Sequence, residues 1–346
     1  MKLSRREFLK SSSASLLDYP INSFEEKSEK QAKIFFGGDT LFGGYYSKGY
    51  GIMNKINEFI DVQEDISKVP EYYLKNLSSI MQEADLRICN LEGPITKRYS
   101  SSEIIKKIYP KQFPLRQHEK TAEILKSSRF DLVSLANNHA FDFGEEGLVT
   151  TIEKLTEKNI SYIGAGKEEA YQPNYLQINK IKFAFFGITD IVEPANMVAT
   201  NNRFGVASIP ETSNYSQSKN LELISENIKY VKDNSDFVCI MLHSGPISGR
   251  NLNSRQIEIS KILSESGTDL IIGHHSHAAQ SIKNYNTTLT FHGIGNLIFG
   301  GRKSKQQISL SPLINFSVSK NGNKNINYKE NYILPNENQT FTPKIA

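Results

Sequence analysis

Tryptophan is absent from this chain of 346 residues, cysteine occurs twice and histidine seven times. Two cysteines cannot build a disulfide framework, and neither stands in a C-x-x-C pair of the kind that holds zinc. Cys89 in DLRICN and Cys239 in DFVCIML each lie inside an apolar run and read as buried structural thiols. Charge of one sign is also scarce: 41 Lys and Arg stand against 37 Asp and Glu, a formal charge of +4. With no basic block and no RNP-type motif, this balance argues against nucleic acid and permits only a weak preference for an anionic ligand. No apolar stretch reaches the ~18–20 residues that a membrane-spanning helix needs. At 38% hydrophobic and 23% charged residues, the composition is that of a globular chain long enough to bury a core.

What is present begins at the N-terminus. SRREFLK, residues 4–10, resembles a twin-arginine export signal, with Arg5, Arg6, Phe8, Leu9 and Lys10 in place. It predicts export to the periplasm or cell envelope. The SSSASLL that follows is a weak apolar region, and no clear A-x-A cleavage site comes after it. Residues 1–31 are expected to be signal and linker, 32–300 the folded domain, and 301–346 late antiparallel strands with a loose tail.

From Lys33 a pattern repeats: a short β-branched or aromatic run, a punctuation of Gly, Asn, His or Asp, then an amphipathic stretch. The runs include KIFFGGDT, DLRICNLEG, DLVSLANNH, KFAFFGITD, DFVCIMLHSG, DLIIGHHSH and TLTFHGIGN. Between several lie helical patterns such as EEGLVTTIEKLTEKN and NLELISENIKYVKDN, apolar at three- and four-residue spacing. Such alternation predicts α/β layers. Residues 46–75 and 97–120 are less periodic. The second segment carries Pro110 and Pro114 and is expected to be a surface excursion.

In α/β sheets, sites lie beyond the carboxyl ends of the strands. Here those ends carry Asp39, Glu92, Asn137-Asn138-His139, His243, His274-His275-His277 and Asn296. Carboxylate, amide oxygen and imidazole together suit a divalent metal. Taken singly, each has an ordinary explanation. Asp39 after two glycines can be a turn or cap residue, Glu92 can pair with a surface Lys, and a lone histidine is more often structural than a ligand. ANNH with Asp142 behind it is stronger, since Asp142 can orient His139. Alternation along a strand would put His275 and His277 on one face and turn His274 away.

GGDTLFGG, CNLEGPIT, SLANNHAFDFGEEGL, YIGAG, GHHSH and GIGNLIFG, in this order, resemble the capsule-synthesis proteins of the CapA, poly-γ-glutamate type. That group is similar in fold to the calcineurin-like metallophosphoesterases. The resemblance covers residues 33–300 and implies a four-layer αββα sandwich. It also implies one or two divalent ions (Mn, Zn, Fe or Mg), with Asp39 and His277 at the first metal. Glu92 would be the bridging carboxylate, and Asn138, His243 and His275 would hold the second metal. His139, oriented by Asp142, would face the leaving group, while Asn137 and Asn296 would line the substrate pocket. The implied partners are poly-γ-glutamate or another anionic polymer and other capsule-synthesis proteins at the membrane.

Two departures stand out. Phosphoesterases begin D-x-H, whereas Thr40 and Leu41 follow Asp39, which makes single-metal occupancy plausible. The family commonly has H-W-G-x-E-Y where this chain reads HSGPIS, keeping His243 and Gly245 but not the Trp or Glu. Three functions compete on this reading: capsule or poly-γ-glutamate assembly and export, hydrolysis of a nucleotide or other phosphoester, and non-catalytic binding of an acidic polymer. The resemblance favours the first.

Overall fold

Phe35 points to one side of its strand and Ile34 and Phe36 to the other, and all three are fully buried. A strand buried on both faces needs a covering layer on each side. The computed structural model supplies both. It describes residues 30–47, 51–53, 60, 65–97, 114–210, 218–247, 249–299, 308–334 and 344–345. The Arg5-Arg6 motif, the linker to residue 29 and Pro110 lie outside the described residues.

The strands of the two large sheets begin with β1 (Lys30–Leu41), β2 (Leu86–Leu91), β3 (Leu132–Ser134), β4 (Ser161–Ile163), β5 (Asn174–Ile178), β6 (Ile181–Thr189) and β7 (Phe237–His243). They continue with β8 (Leu270–His274), β9 (Ile282–Tyr285), β10 (Thr288–Phe291), β11 (Asn296–Phe299), β12 (Leu313–Val318) and β13 (Lys324–Lys329). One sheet has the order β13-β12-β1-β2-β3-β4, with β11 also on β1; the other has the order β9-β10-β8-β7-β6-β5. Strands β1 to β4 are parallel, as are β6, β7, β8 and β10.

Between the sheets lies an apolar layer of Ile34, Phe36, Ile88 and Leu132 against Phe183, Phe185, Met241, Ile272 and Phe291. On the outer face of the first sheet, Phe35, Cys89, Leu91 and Val133 pack on helices α1 (Lys68–Leu74), α2 (Ser78–Glu83), α3 (Thr121–Ser127) and α4 (Gly144–Glu157). On the outer face of the second, Phe186, Val238, Ile240 and Ile271 pack on α5 (Lys219–Lys232) and α6 (Ser254–Ser266). The architecture is therefore helix, sheet, sheet, helix, the sandwich expected from the sequence. Cys89 and Cys239 are free and buried within it, and burial pushes the Cys89 thiol up to about 12.

One edge of β1 is shared by two strands. β12 pairs antiparallel with Lys30–Phe35, and β11 pairs parallel from Asp39 onward. The sheet thus runs across the boundary drawn after residue 300, because Phe316 belongs to the inter-sheet layer, with its ring 5.0 Å from Phe183 and 4.9 Å from Phe237. The expected surface excursion also needs correction where it ends. Arg116 and Gln117 are buried, and Leu115–Arg116 pairs with the short strand Gly44–Ser47. The Gln117 amide donates to Thr40 O and Glu92 O, 2.8 Å each, and its oxygen accepts the Phe42 N–H at 2.8 Å. That residue is tied inward because it closes the turns leaving β1 and β2.

Candidate metal centre

The apolar layer between the sheets stops abruptly at the carboxyl ends of the strands. Side chains two apart on a strand share a face, so Asn90 follows Ile88, His243 follows Met241 and His274 follows Ile272 into the same space. By that count Asp39 would point outward with Phe35. A bulge prevents it: the pairing of β1 with β2 slips between Gly37 and Asp39, and that with β11 slips between Asp39 and Thr40. An extra residue in a strand re-aims the side chain that follows. The slip depends on glycine, since a Cβ on Gly38 would stand 2.0 Å from Gly295 O.

Asp39 is wholly buried and surrounded by nitrogen. Asn90 Nδ2 donates to its Oδ1 at 2.8 Å, and His274 Nδ1 lies 3.3 Å from the same atom. On Oδ2 converge the His275 backbone N–H at 3.2 Å and His277 Nδ1 at 3.3 Å. Burial opposes ionisation, but His274 and His277 outweigh it and hold the carboxyl well below the usual range. Burial likewise opposes charge on His277, yet Glu92, Asp39 and Asn296 raise that imidazole to about 9.

Two donor sets emerge. Asp39, Glu92 and His277 each offer one ligand atom, all within 4.8 Å of one another. Glu92 is fully buried, and its Oε1 lies 3.9 Å from Nε2 of both His277 and His139. In the second set, His243 Nε2 lies 2.9 Å from Asn138 Oδ1 and 3.1 Å from His275 Nδ1. Burial and the neighbouring His275 push the His243 imidazole well below its ordinary value, so it stays neutral, the form that ligates metal. Carboxylate oxygen, amide oxygen and imidazole nitrogen within such spans fit divalent ions, with His277 giving up its proton to a bound ion.

His139 is placed differently. Its Nδ1 lies 2.6 Å from Asp142 Oδ2, while its side chain retains 17% exposure. Asn296 is also partly exposed, and its Oδ1 lies 2.8 Å from His277 Nδ1. Asn137, expected to line the substrate pocket, is held by the scaffold. It is fully buried, donates to Asn90 Oδ1 and Leu91 O, and accepts the His139 N–H, so both ends of its amide are occupied by the scaffold.

Strand alternation does not govern the whole histidine run. β8 ends at His274, and His275 and His277 have positive φ values of 83° and 52°. Alternation therefore applies up to His274 and carries it inward, and the two later imidazoles are aimed by turn geometry. Asn90 and Gln117 were missed because neither sits in a run of ligand-type residues. Asn90 had one available signal, its position two residues after Ile88 at a strand end.

The family described as bacterial capsule synthesis protein PGA_cap matches residues 33–301. The PGA biosynthesis protein CapA of Bacillus subtilis (strain 168) is 26% identical over 292 residues, 83% of this chain and 68% of that protein. The capsule biosynthesis protein CapA of Bacillus anthracis is 28% identical over 264 residues, 73% of this chain and 59% of that one. Among solved structures, a phosphatase of Mycoplasma pneumoniae aligns with a TM-score of 0.46 at 14% identity, over 88% of this chain and 94% of its own. The match to the family profile takes in every residue of both donor sets, and the chain belongs to the bacterial capsule synthesis protein family.

Proposed function

We propose that this chain is a metal-dependent component of capsule or poly-γ-glutamate biosynthesis, acting in assembly, export or attachment of the polymer at the cell envelope. The observation that carries this reading is the convergence of two donor sets between the sheets of a chain from the capsule synthesis family. Asp39, Glu92 and His277 would hold one divalent ion. Asn138, His243 and His275 would hold a second, with Glu92 shared. Bound ions supply Lewis-acid polarisation of a carbonyl or phosphoryl oxygen.

The chain's own residues supply the rest. Asp142 would accept a hydrogen bond from Nδ1–H of His139, which leaves Nε2, 3.9 Å from Glu92 Oε1, to give or take a proton. Asn296 orients His277 through Nδ1. Asn90 and Asn137 form an amide relay beneath Asp39 that keeps its oxygen in register. The acceptors would be poly-γ-glutamate or another anionic polymer, handled with other capsule-synthesis proteins at the membrane. We place the protein outside the cytoplasm, exported through SRREFLK.

Elemental analysis of the purified protein, run beside a panel of polyglutamate and phosphoester substrates, tests this. One or two ions per chain with action on polyglutamate is the expected result. Metal-free protein with full activity would remove the metal from the account, and turnover confined to phosphoesters would favour a phosphoesterase.

A further inference from the structure

Two residues after Asp39 the chain has Leu41, fully buried in a small apolar cluster with Leu115 and Phe299. The imidazoles that reach Asp39 come instead from the end of β8 and the turn after it, His274 and His277. His274 is the last residue of β8 and pairs across the sheet with His243. It is 1% exposed, and its Nδ1 is 3.3 Å from Asp39 Oδ1. Apart from that approach to Asp39, neither ring nitrogen of His274 has a hydrogen-bond partner among the described residues. A buried imidazole in that condition calls for a reason beyond packing.

The two oxygens of Asp39 are divided between neighbours. Asn90 and His274 face Oδ1, with His243 Nδ1 farther off at 4.0 Å, whereas His277 and the His275 N–H face Oδ2. Oδ2 is the oxygen that faces His277, a donor of the first set. We propose that His274 is a positioning residue: with Asn90 it holds Oδ1 of Asp39, so that the carboxylate presents Oδ2 alone to a divalent cation. This rests on the metal reading given above. It also assigns a function to the one imidazole of GHHSH left outside the two donor sets. Its place at the strand end follows from β8, where a Cβ on Gly273 would stand 1.9 Å from His292 O and the strand is thereby pressed against the next chain segment.

The test is titration of Mn²⁺ or Zn²⁺ into chelator-stripped protein, with thermal unfolding measured in the stripped and loaded states. Three chains are compared: wild type, His274→Leu and His274→Asn. Leucine fills the volume without a donor, whereas asparagine places its Nδ2 close to where Nδ1 of histidine stood. Loss of a partner to a ligating carboxylate typically weakens metal binding ~10–100-fold. His274→Leu is expected to show that loss and a smaller rise in Tm on loading. His274→Asn should recover wild-type affinity to within a few-fold, a rescue that a space-filling role would not produce. If His274→Leu does not fold, His274→Ser, polar but too short to reach Asp39, takes its place with the same expectation. Wild-type affinity in the leucine variant, or an asparagine variant no better than leucine, overturns the proposal alone. A wild type that binds no ion overturns the metal reading and this proposal together.

Discussion

One carboxylate oxygen serves two donors in this protein: Asp142 Oδ2 lies 2.6 Å from His139 Nδ1 and accepts the Leu115 N–H at 2.6 Å. Asp142 is fully buried, so it joins the partly exposed His139 to the short strand Leu115–Arg116. Asp142→Ala should therefore do two things. It should leave a buried N–H unsatisfied, lowering stability by roughly 1–3 kcal/mol in urea unfolding, and it should free the His139 ring. A variant as stable as wild type would show that the Leu115 N–H finds water instead.

His139→Asn and Glu92→Gln should separate chemistry from metal retention. The first should keep its metal and lose ~10²–10⁴ in turnover, the usual worth of a positioned acid or base. The second removes charge from the donor set of Asp39, Glu92 and His277 and should lose metal and turnover together. Full activity in His139→Asn on any polyglutamate or phosphoester substrate would retire it as a proton carrier.

Phe316 tests whether the C-terminal strands belong to the domain. Its ring packs edge-on against Phe183 and against Phe237 between the sheets. Phe316→Ala should cost ~3–5 kcal/mol, the usual range for a buried phenylalanine. A shift under about 1 kcal/mol would mean that β12 is an ornament on a sheet complete without it.

His292 should make the fold acid-sensitive. Burial, with Lys283 nearby, pushes its imidazole from 6.5 down to about 4, and its Nε2 lies 2.9 Å from the Tyr285 hydroxyl. Between those values the unfolded chain binds a proton that the folded chain refuses, so stability rises with pH across the window. This contribution is complete above pH 6.5 and declines as pH falls toward 4. Urea midpoints of wild type and His292→Gln, compared from pH 7 to pH 4.5, should converge as the solution is acidified. Parallel curves would place the titration elsewhere.

The export motif makes a separate prediction. Replacing Arg5 and Arg6 by Lys should leave the protein in the cytoplasm, as read by cell fractionation. Unchanged localisation would make SRREFLK an inert basic start.

Much of this protein could be read from its residues alone. Alternation of β-branched or aromatic runs with amphipathic stretches specified two-sided burial, hence layers, because strand and helix periods are local properties of the backbone. The ligand-type residues at strand ends pointed to one edge of the sheets for the same reason. What tertiary structure decided is direction. Asp39 turns inward only because β1 bulges where Gly38 meets the backbone of Gly295. His274 enters the site because β8 stops at that residue, and His275 and His277 are then aimed by positive φ. Gln117 and β12 carry no motif, yet one ties Thr40 to Glu92 and the other completes the edge of β1. Each of these outcomes depends on contact between segments far apart in the chain, and a repeat of two or 3.6 residues contains no information about such contacts.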